Sequence, residues 1–170
     1  MARSDVFQNL SRVTLLLDEF DLRLPAESPR NADFRADLAG LLVVLIAATY
    51  ENCVKDIIVR FAESKHVDFG GYASRSYDRI NSRIRISDLK KYAKTFDPDV
   101  EIRFKQDLTS RKDRILSRTG VDITKCYEQL LEWRHTFAHQ GERIVSLEEA
   151  SRFHRYGMRV MLAFDRAFGS

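Results

Sequence analysis

The segment running from Asp122 to Gln140, DITKCYEQLLEWRHTFAHQ, carries the residues best suited to chemistry. Two of the chain's four histidines, His135 and His139, stand there beside Arg134. A guanidinium is a permanent cation whose planar fork of donors suits a phosphate. An imidazole titrates near neutral pH and serves as proton donor or acceptor. Arg and His together are thus the parts for phosphate chemistry by proton transfer.

Asp122 can cap a helix that runs to about Gln140, with Gly141 as its stop. With Ile123 set at about 0° on an ideal helix, Tyr127 falls at about 40°, Leu130 at about 340°, Leu131 at about 80° and Ala138 at about 60°. These form the expected buried stripe. Arg134 falls at about 20°, in the middle of it. Two readings stay open: a buried arginine paired with Asp or Glu, or a phosphate-binding arginine in a cleft, since an unpaired buried charge costs several kcal/mol. His135 falls at about 120° and His139 at about 160°, one turn apart. His139 also lies near the helix C-terminus, where the dipole favours the imidazolium. Arg134 and His139 are separated by about 140° and about 7.5 Å of rise. They form one compact site only if Arg134 reaches across, the last turn distorts, or a second subunit contributes.

The i, i+4 histidines also have the spacing of helix-borne zinc ligands. However, HTFAH lacks the Glu of HExxH, and His66 and His154 are distant in sequence. No metal site and no cofactor are expected.

The elements that position this helix read as all-α. A first helix is expected from Ser4 to Leu22, with Val6, Leu10, Val13, Leu17 and Phe20 on one face; RLPAESPR, with Pro25 and Pro29, ends it. A long second helix spans about 33–65. Its middle, LLVVLIAATYENCV, is apolar nearly all round and predicts the central, most buried helix. HVDFGGYASRSY, with Gly70 and Gly71, reads as a loop. Helices near 87–95 and 99–117 are separated by Asp97-Pro98. Ser146 with Glu149 forms a capping box for a last helix over 147–168. The expectation is one domain over 1–170: a helical bundle built on two long antiparallel helices, with a basic helical insertion over about 70–118.

Composition agrees. Seven Gly and three Pro in 170 residues leave helices few interruptions, and exclude collagen-like, low-complexity and disordered classes. Cys53 and Cys126 are too few for a disulfide scaffold and are expected as buried, reduced thiols. The N-terminus lacks the pattern of a signal peptide. The apolar run from Leu38 to Tyr50 is short of the roughly 18 residues that span a bilayer. A cytoplasmic protein without a membrane partner is expected. The net charge of +3 conceals an uneven distribution. Arg75, Arg79, Arg83, Arg85, Lys90, Lys91 and Lys94 crowd the stretch 75–94 against only Asp78 and Asp88, and 103–118 is also basic. Such a stretch is either a solvated helix surface or a face for a polyanion.

The segment Arg134-His-Thr-Phe-Ala-His139 fits the R-x4-6-H motif of HEPN domains, and LLEWRHTFAHQG resembles their penultimate helix. Glu51-Asn-Cys-Val-Lys55 is similar to the E-x3-K feature of many HEPN ribonucleases. The nearest resemblance is to the RiboL-PSP-like HEPN proteins of bacterial conflict systems. The position after the arginine, often Asn in that family, is His135 here. The resemblance implies an HEPN-like helical bundle acting as a metal-independent endoribonuclease, usually a homodimer whose two motifs form one composite cleft. It implies catalytic roles for Arg134, His139, His135 and Glu51. Lys55, Arg83, Arg85 and Lys90 are the expected RNA contacts. Glu51 and Lys55 also read as an ordinary ion pair one turn apart. The partners expected are the RNA substrate, a second copy with its 122–140 helix near a two-fold axis, and a cognate antitoxin. The rival reading is an inactive helical HEPN binding module, a regulatory partner of a nucleotidyltransferase.

Overall fold

The computed structural model describes residues 5–25, 31–78, 80 and 83–169; Ser4, Pro29 and Arg79 lie outside them. Seven helices and no strand occur among the described residues. They are α1 (Asp5–Arg23), α2 (Ala32–Lys65), α3 (Val67–Tyr77), α4 (Ile86–Phe96), α5 (Pro98–Thr119), α6 (Ile123–Gln140) and α7 (Leu147–Phe168). None is long and apolar enough to cross a membrane.

The expected helix ends are set by local hydrogen bonding. The side chain of Asp97 accepts from the Asp99 N–H at the start of α5, where Pro98 needs no donor partner. Gly120 and Gly141 take positive φ, 71° and 66°, and close α5 and α6. Ser146 and Glu149 exchange hydrogen bonds as a capping box. One element differs from expectation. HVDFGGYASRSY is not a loop: Val67–Tyr77 is the helix α3. Gly70 is buried there, and a Cβ on it would collide with the Glu63 side chain, so the glycine serves close packing of α3 on α2 rather than a turn.

α2 is central, packing on α1, α3, α6 and α7. Its contacts fix the directions of its neighbours. Arg35 pairs with Glu148 and Arg60 with Asp165, so α2 and α7 run parallel. Tyr50 stacks on Tyr127 with centroids 5.3 Å apart, and Phe137 lies on Gly40, so α6 runs antiparallel to α2. Gly157 lets α7 approach the α6 backbone at Tyr127. α2 is not buried all round, however. Ala39, Val43, Ile46, Tyr50, Val54 and Ile57 face the core, while Phe34, Leu41 and Leu45 are exposed. The basic segment joins the core through Leu89, Ala93, Val100, Phe104 and Leu108, with Phe104 edge-on to Phe164 of α7.

The cysteines are buried free thiols, and burial pushes Cys53 up to about 12. His154 is fully buried between Tyr50 and α1. Its Nε2–H donates to the Leu10 carbonyl at 3.1 Å, which leaves Nδ1 to accept from the Tyr50 hydroxyl at 3.0 Å. Burial lowers its pKa to about 4, so the core holds a neutral imidazole.

Candidate active site

α6 is anchored before its motif begins. Asp122 caps it, accepting from the Thr124 and Lys125 N–H groups, and pairs with Lys112 of α5 at 3.3 Å. Burial acts to raise that carboxyl, but hydrogen bonds from Thr124, Lys112 and Lys125 hold it below the usual range. The segment before α4 is stapled along the next turns. The Tyr127 hydroxyl donates to the Ile84 carbonyl at 2.7 Å, and the Ile86 N–H donates to Glu128 at 2.8 Å.

Beyond this anchor α6, α2 and the segment around Ile84 enclose a small cleft of about 120 Å³. Ala47, Glu51, Ile84, Arg85, Leu131, Arg134 and His135 line it. Arg134 is half-buried, not at the centre of a sealed stripe, and makes no hydrogen bond or ion pair among the described residues. Of its two open readings, the paired buried arginine is therefore not realised at this position. The residue that fulfils it is Arg35, 7% exposed, bonded to Asp21 at 3.0 Å, to Glu148 and to the Leu24 carbonyl. Ala138, expected in the buried stripe, is exposed. The stripe ends one residue earlier with Phe137, whose ring crosses to Gly40, after which α6 projects beyond its neighbours.

The sequence-predicted residues fall into three groups. Arg134, His135 and Glu51 share the cleft. His139 is exposed outside it, its ring packed on that of His135 with centroids 4.6 Å apart. Glu51 also pairs with Lys55 at 3.7 Å; Lys55 itself borders a different depression, among Asp5, Asp56, Glu63 and Asp78. Arg85 lines the cleft, where its charge is met by Glu132 at 2.8 Å and Glu128 at 3.5 Å. Arg83 is exposed and Lys90 half-buried, and neither forms an ion pair among the described residues. Lys105, Arg111 and Lys112, by contrast, are paired with Glu101, Asp107 and Asp122.

Sequence reasoning missed Arg85's place in this cleft, because its partners Glu128 and Glu132 lie far downstream, beyond two intervening helices. It also missed Arg143. In the segment after the motif, Arg143 bonds Asp37 at 2.7 Å and Asp33 at 3.2 Å, tying the exit of α6 to the start of α2. Among the described residues no group of His, Cys, Asp and Glu is placed to hold a metal ion.

Among the described residues the chain is thus an all-helical bundle that carries, toward the end of α6, an arginine with no ion pair and two histidines. The RiboL-PSP-HEPN family model matches residues 8–170, and the chain belongs to that family, one of HEPN domains that are mostly ribonucleases. No curated protein and no solved structure matches the chain.

Proposed function

We propose that the protein is a metal-independent endoribonuclease of a bacterial toxin–antitoxin or antiviral defence system, working as a homodimer. The observation that carries this reading is Arg134, a half-buried cation with no protein partner among the described residues, in a cleft with His135 and Glu51. An arginine held in that way, without a counter-ion, is available to a phosphate.

The 2′-hydroxyl of RNA is already positioned next to the scissile phosphorus, so proximity is supplied by the substrate. A histidine takes the 2′-proton as the oxygen attacks phosphorus. A second histidine delivers a proton to the departing 5′-oxygen. Arg134 stabilises the charge that develops on the phosphoryl oxygens. The products are a 2′,3′-cyclic phosphate and a 5′-hydroxyl. His139 is our principal acid–base group and His135 its neighbour in the proton transfers. Glu51, at the wall of the same cleft, positions a histidine there, and Arg83, Arg85 and Lys90 guide the backbone. RNA is the substrate, and a cognate antitoxin protein restrains it.

The test is cleavage of an RNA oligonucleotide by the purified chain in EDTA, with mass analysis of the ends. Cyclic phosphate and 5′-hydroxyl termini support the scheme, and a 2′-deoxy sugar at the scissile position should block it. His139→Ala and Arg134→Ala should each lose a hundredfold or more, with melting measured alongside. His135→Ala should approach that loss if it shares the proton transfers. Cleavage abolished by EDTA and restored by zinc would contradict the scheme.

A further inference from the structure

One stripe of α6 carries both carboxylates and imidazoles. Glu128, Glu132, His135 and His139 follow one another at helical spacing, within about 60° of arc on an ideal helix. The two histidines end the stripe, their rings packed with centroids 4.6 Å apart, and the two carboxylates begin it. Carboxylates are out of place on a surface that meets a polyanion. The phosphates of a strand repel them, and an ionised carboxylate accepts hydrogen bonds but donates none.

The fold accounts for Glu128. Its Oε1 accepts from the Ile86 N–H at 2.8 Å and its Oε2 faces Arg85 at 3.5 Å, so both oxygens hold the segment before α4 against α6. Glu132 is not used up in this way. Its Oε2 accepts from the Arg85 guanidinium at 2.8 Å, and its Oε1 has no hydrogen-bond partner among the described residues. The side chain is 52% exposed. Arg85 is itself fixed: its backbone N–H donates to Asp88 at 3.2 Å, its guanidinium spans Glu128 and Glu132, and it lines the cleft with Arg134 and His135. The pair therefore holds a carboxylate beside the cleft, about 4.5 Å of helix rise before His135, with lone pairs to spare.

We infer that Glu132, held by Arg85, reads a guanine next to the scissile phosphate of a single strand. The inference rests on the proposed reading that RNA is the substrate. Along an RNA backbone the 2′-hydroxyl is the one donor, and every other donor belongs to a base. A carboxylate beside the strand is thus matched by a base edge. Unpaired bases expose their Watson–Crick edges to protein. On that edge guanine carries two adjacent donors, N1–H and N2–H, which meet the two oxygens of one carboxylate. Adenine sets its N6–H beside the N1 acceptor, and cytosine its N4–H beside N3. Each makes one bond and turns a lone pair toward the second oxygen. Uracil has a single donor between two carbonyls. Arg85, adjacent to the carboxylate, has further N–H groups for the neighbouring guanine O6. Two bonds to a charged acceptor are strong ones, so guanine should be preferred about tenfold or more, the scale of one bidentate base contact. A guanine already paired in a duplex has this edge occupied and should not be read.

The test separates binding from cleavage. Uniform 2′-O-methyl uridine strands cannot be cut by 2′-attack, and one position is changed to G, A or C. Fluorescence anisotropy with the purified chain should show the guanine strand bound about tenfold or more tighter than the others. Cleavage uses the same strands with a single 2′-hydroxyl, so that the scissile phosphate is known, and with the base on either side of it varied. Guanine on one of those sides should be cut fastest. Glu132→Gln is the deciding variant. Its amide offers one acceptor and one donor, the complement of adenine and cytosine, so the preference should move from guanine to those two bases. Glu132→Ala should bind the four strands alike. Both variants should melt as the wild type does, because the side chain is half-exposed.

An ion pair that merely shapes the segment before α4 would change every strand by the same factor in Glu132→Gln, and that result would overturn the inference. So would a wild type indifferent to the base, or a guanine preference kept in Glu132→Gln. Selective binding of the guanine strand with no cleavage of any RNA would leave this base contact standing and remove the proposed activity alone. Cleavage without base preference would do the reverse. A chain that binds no strand would remove both.

Discussion

Acid reaches this fold first through His154. The ring is buried between the Tyr50 hydroxyl and the Leu10 carbonyl, and burial lowers its pKa from 6.5 to about 4. Between those two values the unfolded chain binds the proton and the folded chain does not. Unfolding therefore takes up a proton, and stability falls as pH falls. The contribution is fully present above about pH 6.5 and fully lost below about pH 4. At about 1.4 kcal/mol per unit the whole shift corresponds to about 3 kcal/mol, of which about 2 kcal/mol has gone by pH 5. For a domain stable by about 5–15 kcal/mol that is a measurable share. The assay is urea unfolding at pH 7, 6 and 5 for the wild type and for His154→Gln, whose amide offers a donor and an acceptor but does not titrate. Between pH 7 and pH 5 the difference in unfolding free energy between the two should narrow by about 2 kcal/mol. Asp122 and Glu148, whose carboxyls are also held low, titrate in both proteins and cancel. Parallel pH profiles would refute the reasoning, because the buried ring would then carry no proton linkage.

Gly40→Ala places a methyl inside the Phe137 ring. Overpacking costs about 1–3 kcal/mol against about 1 kcal/mol gained in helix propensity. Melting should therefore move modestly while RNA cleavage falls at least tenfold, since Phe137 lies between Arg134 and His139. Gly71→Ala, whose methyl would meet only the end of the Arg75 side chain at ordinary contact distance, is the control that should leave cleavage unchanged. RNA binding should weaken with salt by a slope of about 0.7 per neutralised phosphate in log K against log salt. Charge reversal at Arg83, Arg85 and Lys90 should flatten that slope by about two, read by fluorescence anisotropy. An unaltered slope would move the binding surface elsewhere.

Much of the scaffold is legible in the sequence because its signals are local. Asp122, Gly141, Ser146 and Glu149 mark helix ends through hydrogen bonds made within a few residues, and each does so in the structure. α3 is not legible, because Gly70 reads as a breaker until Glu63 of α2 is seen packed against it. The helical pattern carries the buried stripe of α6 one residue too far, since the reach of Phe137 to Gly40 is tertiary. Arg35 does have a signal in the sequence: it continues the core-facing arc of Ala39, Val43, Ile46 and Tyr50. Arg134 and His135 stand out by type and spacing, Glu51 only through the family resemblance, and the three line one cleft. That His139 stands outside this cleft follows from its offset around the helix. Arg85 has no such local signal, because Glu128 and Glu132 reach it only through the fold.

The most direct measurement of a composite site is complementation between dead chains. Arg134→Ala and His139→Ala are each inactive if every site draws its arginine from one chain and its histidine from the other. In a mixed dimer one site loses both residues and the other keeps both. Co-expressed with two tags and assayed as the unsorted mixture, half the dimers are mixed, and the preparation should recover about a quarter of wild-type RNA cleavage. A mixture no more active than its separate parents, in a preparation shown by the tags to contain mixed dimers, would contradict the account.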